Sequence, residues 1–270
     1  MLPVAVAASL TLGDSPAIQD PFVNTIRAKV NQVVQVADTV PGLKSEEFAL
    51  LSKGLVERCN TLAEKGVLEV TGTDKEVRPY FVTLQALFEH VLSLELKNSI
   101  TRLEGVIHTP QPATPLCNDG TISKELVDPS ILADPARLFT VQARTTIIRD
   151  YLHKGADLYV VYPQEGLAKR NEAMQKTYKG ELQKYPTHLF DRPLNTSIEN
   201  EDVGAYYIFE TSDSKRYAFA IKMTQANALQ DSATFGLWFG EFTPSSPVYK
   251  RVMAVHDKLN TAQTRFPPFN

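Results

Sequence analysis

The chain has 270 residues, 43% hydrophobic and 22% charged, a balance that suits a globular protein able to bury a large core. Its formal net charge of −3 excludes a global basic field for holding nucleic acid or an anionic membrane. Cys59 and Cys117 have no CxxC or Cys/His spacing, so they make neither a disulfide framework nor a zinc site.

Met1 to Leu12 is apolar and built of small side chains, but no Lys or Arg precedes Arg27 and Pro3 interrupts it. Residues 1–19 are therefore expected to form an N-terminal arm rather than a cleaved signal. Asp20-Pro21 has the form of a helix start, a capping aspartate followed by proline at the first helical position. Phe22, Ile26, Val30, Val33 and Ala37 continue on one helical face until Pro41-Gly42. Ser45 caps a second helix with the stripe Phe48, Leu51, Leu55, Cys59 and Leu62, and Gly66 follows as its C′ residue. Val67 to Thr71 reads as a short strand turned by Gly72-Thr-Asp-Lys. Pro79 opens a third, largely apolar helix expected to reach about Glu104, which completes a three-helix unit over residues 20–107.

A proline-punctuated stretch, with Pro110, Pro112 and Pro115, forms an expected connector over 108–133. Residues 134–270 are read as a second domain. It comprises a helix from Asp134-Pro135 to Lys154 with Gly155 behind it, a buried strand Asp157–Tyr162, and a polar helix over 165–184. An irregular segment, 185–203, precedes a hairpin of Ala205–Glu210 with Arg216–Lys222 and a strand Thr234–Phe239. A closing helix runs from Pro247 to Ala262. The fold class is α+β: an N-terminal helical unit, then a small mixed sheet packed with helices.

No phosphate loop, GxGxxG turn, GxSxG elbow or HExxH motif is present, and no cofactor or metal is implied. The segment 185–202 concentrates titratable groups in a stretch without a period, the pattern expected of a functional loop. His188, Asp191 and Glu201 are its candidate catalytic residues, with His188 and Asp191 a possible base and orienter. Arg192, Tyr206 and Trp238 are candidate ligand contacts, although Tyr206 and Trp238 suit core packing as well. His90 and His256 sit on apolar helices as core histidines would. Basic side chains between Arg144 and Lys184 alternate with Asp150, Glu165, Glu172 and Glu181, a solvated salt-bridged surface.

The run Ser45–Lys65, Gly66–Thr71 and the polar turn after it resembles the helix–strand–wing progression of winged-helix modules. Glu46, Glu47, Glu57 and Glu64 outnumber Lys53, Arg58 and Lys65 there, a balance that opposes a phosphate backbone. Nucleic acid is not an expected partner. No apolar run approaches the roughly 20 residues of a membrane span. The sequence is thus read as a soluble, cytoplasmic protein, with secretion the alternative. Its expected role is a binding module engaging a protein partner or a second copy, against an enzyme, hydrolase or transferase, built on 185–202.

Overall fold

A computed structural model describes residues 20–35, 61–62, 64–73, 85, 87–108, 147, 150–163, 188–194, 203–223 and 232–261. The N-terminal helix spans Pro21–Gln35. The Asp20 carboxylate accepts the free N–H groups of Phe22 at 2.7 Å and Val23 at 3.2 Å, so the aspartate caps the helix as its position suggests. Val23, Ile26 and Val30 are buried at the spacing of one helical face.

Among the described residues, seven strands form one mixed sheet: β1 (Val67–Thr73), β2 (Ile100–His108), β3 (Asp157–Pro163), β4 (Leu189–Leu194), β5 (Ala205–Thr211), β6 (Arg216–Met223) and β7 (Ser232–Glu241). Their spatial order is β1-β7-β6-β5-β2-β3-β4. Pairs are antiparallel from β1 through to β2, and the β2–β3 and β3–β4 pairs are parallel. Strands from both sides of the proline-punctuated stretch belong to this single sheet. The expected three-helix unit, the N-terminal arm and the connector rest largely on residues outside those described.

Two expectations are corrected. The third helix does not reach Glu104: helical residues 87–95 end in a turn over 96–99, and Ile100–His108 is a strand. The pairing of β2 with β5 is irregular between Ile100 and Arg102, and both Ile100 and Leu103 are buried in one core. A bulge of this kind breaks strict alternation and leaves two apolar residues three apart, the spacing of a helix. The segment around His188 is likewise not wholly irregular, because Leu189–Leu194 adds to the sheet as β4. Among the described residues it has one strand neighbour, β3, and Pro193 is tolerated at such an edge because its missing N–H is not needed by a second neighbour there.

Helices pack on both faces of the sheet. One core joins Val23, Ile26 and Val30 of the N-terminal helix and Phe88, Val91 and Leu92 of the central helix (87–95) to Tyr207, Phe209, Phe219 and Phe239. Phe88 stacks on Phe219 with ring centres 5.2 Å apart, and Phe22 lies 4.5 Å from Tyr217. Gly105 lets this layer close. A Cβ there would stand 2.7 Å from both Leu158 Cδ2 and the Tyr207 ring.

On the other face, Val248, Val252, Val255 and Leu259 of the closing helix, Pro247–Thr261, meet Ala218, Ala220 and Trp238. This helix crosses β6 and β7, where the two alanines leave room for its side chains. Among the described residues, no helix is long and apolar enough to cross a membrane.

Candidate functional site

The closing-helix face carries both apolar and charged rows. Cross-strand register aligns Tyr159, Val106, Tyr206, Ala220 and Trp238 in one row across β3, β2, β5, β6 and β7. The next row contains Asp157, Glu104, Ile208, Ala218 and Gly240, and a third begins Arg102, Glu210 and Arg216. Side chains two apart along a strand share a face, so each row follows the one above it on the same side of the sheet. The face therefore changes from apolar to ionic at the row of Asp157 and Glu104.

His188 joins this boundary from the residue before β4. Its carbonyl accepts the Leu158 N–H at 2.7 Å, which anchors it beside the start of β3. Its Nδ1 stands 2.9 Å from Asp157 Oδ1. A neutral imidazole that donates from Nδ1 to a carboxylate keeps its lone pair on Nε2. Among the described residues Nε2 has no partner. The pair is therefore arranged as a proton acceptor held in one tautomer by a carboxylate.

Glu104 lies beside Asp157 across the parallel β2–β3 pair and contacts Arg102. Burial pushes its carboxyl above the ordinary carboxylate range, and neighbouring Asp157 adds to this, while Arg102 and Arg216 pull the other way. A carboxyl so placed holds its proton to higher pH than a solvated one, as a general acid must. Tyr206 lies deeper. It is 1% exposed, and its hydroxyl has no hydrogen-bond partner among the described residues. Burial, Glu104 and Tyr159, in that order, raise its phenol above the usual range, so the hydroxyl stays a donor.

The six sequence candidates fall in different places. His188 meets Asp157. Asp191 and Arg192 lie within β4, opposite Val160 and Val161 of β3 in backbone register. Glu201 lies outside the described residues. Tyr206 and Trp238 share a row of the buried face, and the Arg251 guanidinium of the closing helix covers the Trp238 ring at 4.8 Å. Arg251 also stands 3.7 Å from Glu69 of β1, which ties that helix to the sheet edge.

The two carboxylates at the boundary, Asp157 and Glu104, are absent from the candidates read from sequence. Asp157 looks like the start of an apolar strand, and Glu104 like the end of a helix. The only local signal for either is a charged residue at the limit of an apolar run.

A second polar cluster lies on the opposite face of the sheet. Glu89 Oε1 accepts from Gln85 Nε2 at 3.1 Å and from the Tyr207 hydroxyl at 2.9 Å. One turn on, Ser93 contacts Asp150, and Lys154 Nζ lies 3.1 Å from both Ser93 Oγ and Asp150 Oδ2. A serine beside a lysine suggests nucleophilic chemistry. Here Ser93 is fully buried and the lysine is engaged by a carboxylate, so the group acts as a tie between the central helix and residues 150–154. Burial holds the nearby His90 imidazole below its usual range, an effect that Asp150 opposes and Lys154 reinforces. Among the described residues, no group of three His, Cys, Asp or Glu is placed to hold a metal ion.

No protein-family model matches the chain, and no curated protein matches it.

Proposed function

We propose that the chain is an acid–base enzyme of the hydrolase or transferase class, with His188 as the proton-transfer group and Asp157 as its orienter. The observation that carries the reading is the 2.9 Å Nδ1–Oδ1 contact, which leaves Nε2 available at the partly exposed end of β3 and β4. In this role Nε2 takes a proton from a water or hydroxyl nucleophile and returns it to the leaving group. Asp157 fixes the ring and offsets the positive charge formed on it. Glu104, one strand away, is the second carboxyl of the site.

A panel of ester, lactone, amide and phosphoester substrates tests the reading. Wild-type turnover of one of them, reduced at least about a hundredfold in His188→Ala with the melting temperature retained, supports it. Inertness toward the whole panel, or equal turnover by the variant, contradicts it.

A second reading, a binding module for a protein partner or a second copy, draws on the edges of the sheet. Among the described residues β1 and β4 each have a strand neighbour on one side only, the condition for pairing with an added strand. Light scattering that finds a monomer, together with a pull-down that recovers no partner, would count against it.

A further inference from the structure

We propose that the outer edge of β1 pairs antiparallel with the β1 edge of a second copy of the chain, across a two-fold axis at Val70, so that two sheets join into one. The inference rests on the binding-module reading and names the partner as this chain itself.

Hydrogen-bond register decides which backbone groups each edge of the sheet presents. Gly66 accepts the Phe239 N–H at 3.1 Å, so the bonded pairs that follow at two-residue steps are Leu68–Leu237, Val70–Phe235 and Gly72–Ala233. The N–H and C=O groups of Val67, Glu69, Thr71 and Thr73 therefore point away from β7. Among the described residues no strand meets them, and Glu69 and Thr71 are exposed. The opposite edge is blunted. Leu158 donates to the His188 carbonyl, so in the parallel β3–β4 pair the backbones of Leu189, Asp191 and Pro193 face outward. Pro193 has no N–H to offer there, a common guard against strand addition. β1 has no such break, and its one guarding charge, Glu69, is offset by Arg251 at 3.7 Å.

The edge is complementary to itself. An antiparallel pair centred on Val70 sets Val67 opposite Thr73 and Glu69 opposite Thr71, so every outward residue of each copy exchanges hydrogen bonds. A pair centred on Glu69 would set like charges opposite each other, and one centred on Thr71 would leave Val67 without a partner. In the Val70 register each Glu69 carboxylate meets a Thr71 hydroxyl, which is a donor to it. Thr71 Oγ1 stands 3.3 Å from Thr234 Oγ1, which donates to it in turn. Because Arg251 accompanies each Glu69, the two-fold brings together two ion pairs rather than two bare anions. Leu68 falls opposite Gly72 of the second copy, a large residue against the smallest. A foreign peptide would match the backbone groups alone; these side-chain matches are those of the strand with itself.

Sedimentation equilibrium of the full-length chain from about 10 µM to about 1 mM reads the association, a range suited to the small interface of one strand pair. The expected result is a reversible monomer–dimer equilibrium. Thr71→Pro removes an outward N–H that β7 does not use, and should weaken dimerisation at least about tenfold while the dilute monomer keeps its melting temperature. Two charge variants test the register without altering the backbone. Thr71→Lys sets a cation opposite Glu69 and should tighten the dimer about fivefold, whereas Thr71→Glu should loosen it by about the same factor. A monomer across the whole range overturns the proposal, as does a dimer that responds alike to the lysine and glutamate variants. A dimer indifferent to all three variants overturns β1 as the interface and leaves self-association through another surface standing. A monomer that captures a different protein, and loses it in Thr71→Pro, overturns the second copy and leaves the binding-module reading standing. A monomer that captures nothing sinks both.

Discussion

Replacing Asp20 by alanine removes two structural ties at once, and their sizes can be worked out separately. The carboxylate caps the N-terminal helix through the N–H groups of Phe22 and Val23. It also accepts from the Tyr217 hydroxyl at 3.0 and 2.8 Å, joining the helix start to β6. Loss of the cap costs about 1 kcal/mol. Loss of a hydrogen bond to a charged group, with a buried phenol left behind, costs about 1.5–3 kcal/mol. Lys215, 3.7 Å from Asp20 and half exposed, adds little.

The expected total is therefore about 2.5–4 kcal/mol by urea denaturation, with an unchanged m-value. Asp20→Asn keeps both a capping oxygen and an acceptor and should stay within about 1 kcal/mol of wild type. Tyr217→Phe removes only the second tie. Combined with Asp20→Ala, it should show a coupling of about 1–2 kcal/mol, because both changes break the same bond. A loss below about 0.5 kcal/mol for Asp20→Ala, or an additive cycle, would refute the reasoning.

Two other perturbations follow from packing and burial. Gly105→Ala forces a Cβ to within 2.7 Å of Leu158 and Tyr207, both fully buried, and should destabilise by about 1–3 kcal/mol; unchanged stability in urea would show that this layer has slack. His90 and His256 are each held below the ordinary imidazole range chiefly by burial. A depressed pKa means the unfolded chain binds more protons, so stability should fall as pH drops below about 6.5, each histidine adding a limiting slope of about 1.4 kcal/mol per pH unit. His90→Gln should flatten that slope in pH-dependent urea melts, and an unaltered slope would contradict the assignment.

Local chemistry made several elements legible. Asp20-Pro21 marks the start of the N-terminal helix, and Gly66 and Gly155 take positive φ of 69° and 81° behind helical segments. The apolar runs at 157, 205, 216 and 234 are strands because they are compact, β-branched and aromatic. β2 was illegible because its bulge imitates helical spacing at Ile100 and Leu103. β4 was illegible because an edge strand needs no alternation and tolerates Pro193. At the site, His188 stands out in the sequence as a titratable group in a stretch without a period. Its carboxylate partner lies 31 residues upstream and meets it only through β3–β4 pairing. Likewise, Glu104 reaches Asp157 through strand register, which no local pattern encodes.

The central claim is that Asp157 holds the His188 imidazole with Nε2 open. Long-range 1H–15N NMR of the labelled full chain, at a pH where the ring is neutral, reads the tautomer directly. The account predicts that His188 carries its proton on Nδ1 and that Asp157→Asn shifts the ring toward the Nε2–H form. An Nε2–H tautomer in the wild type, or one indifferent to Asp157→Asn, would contradict it.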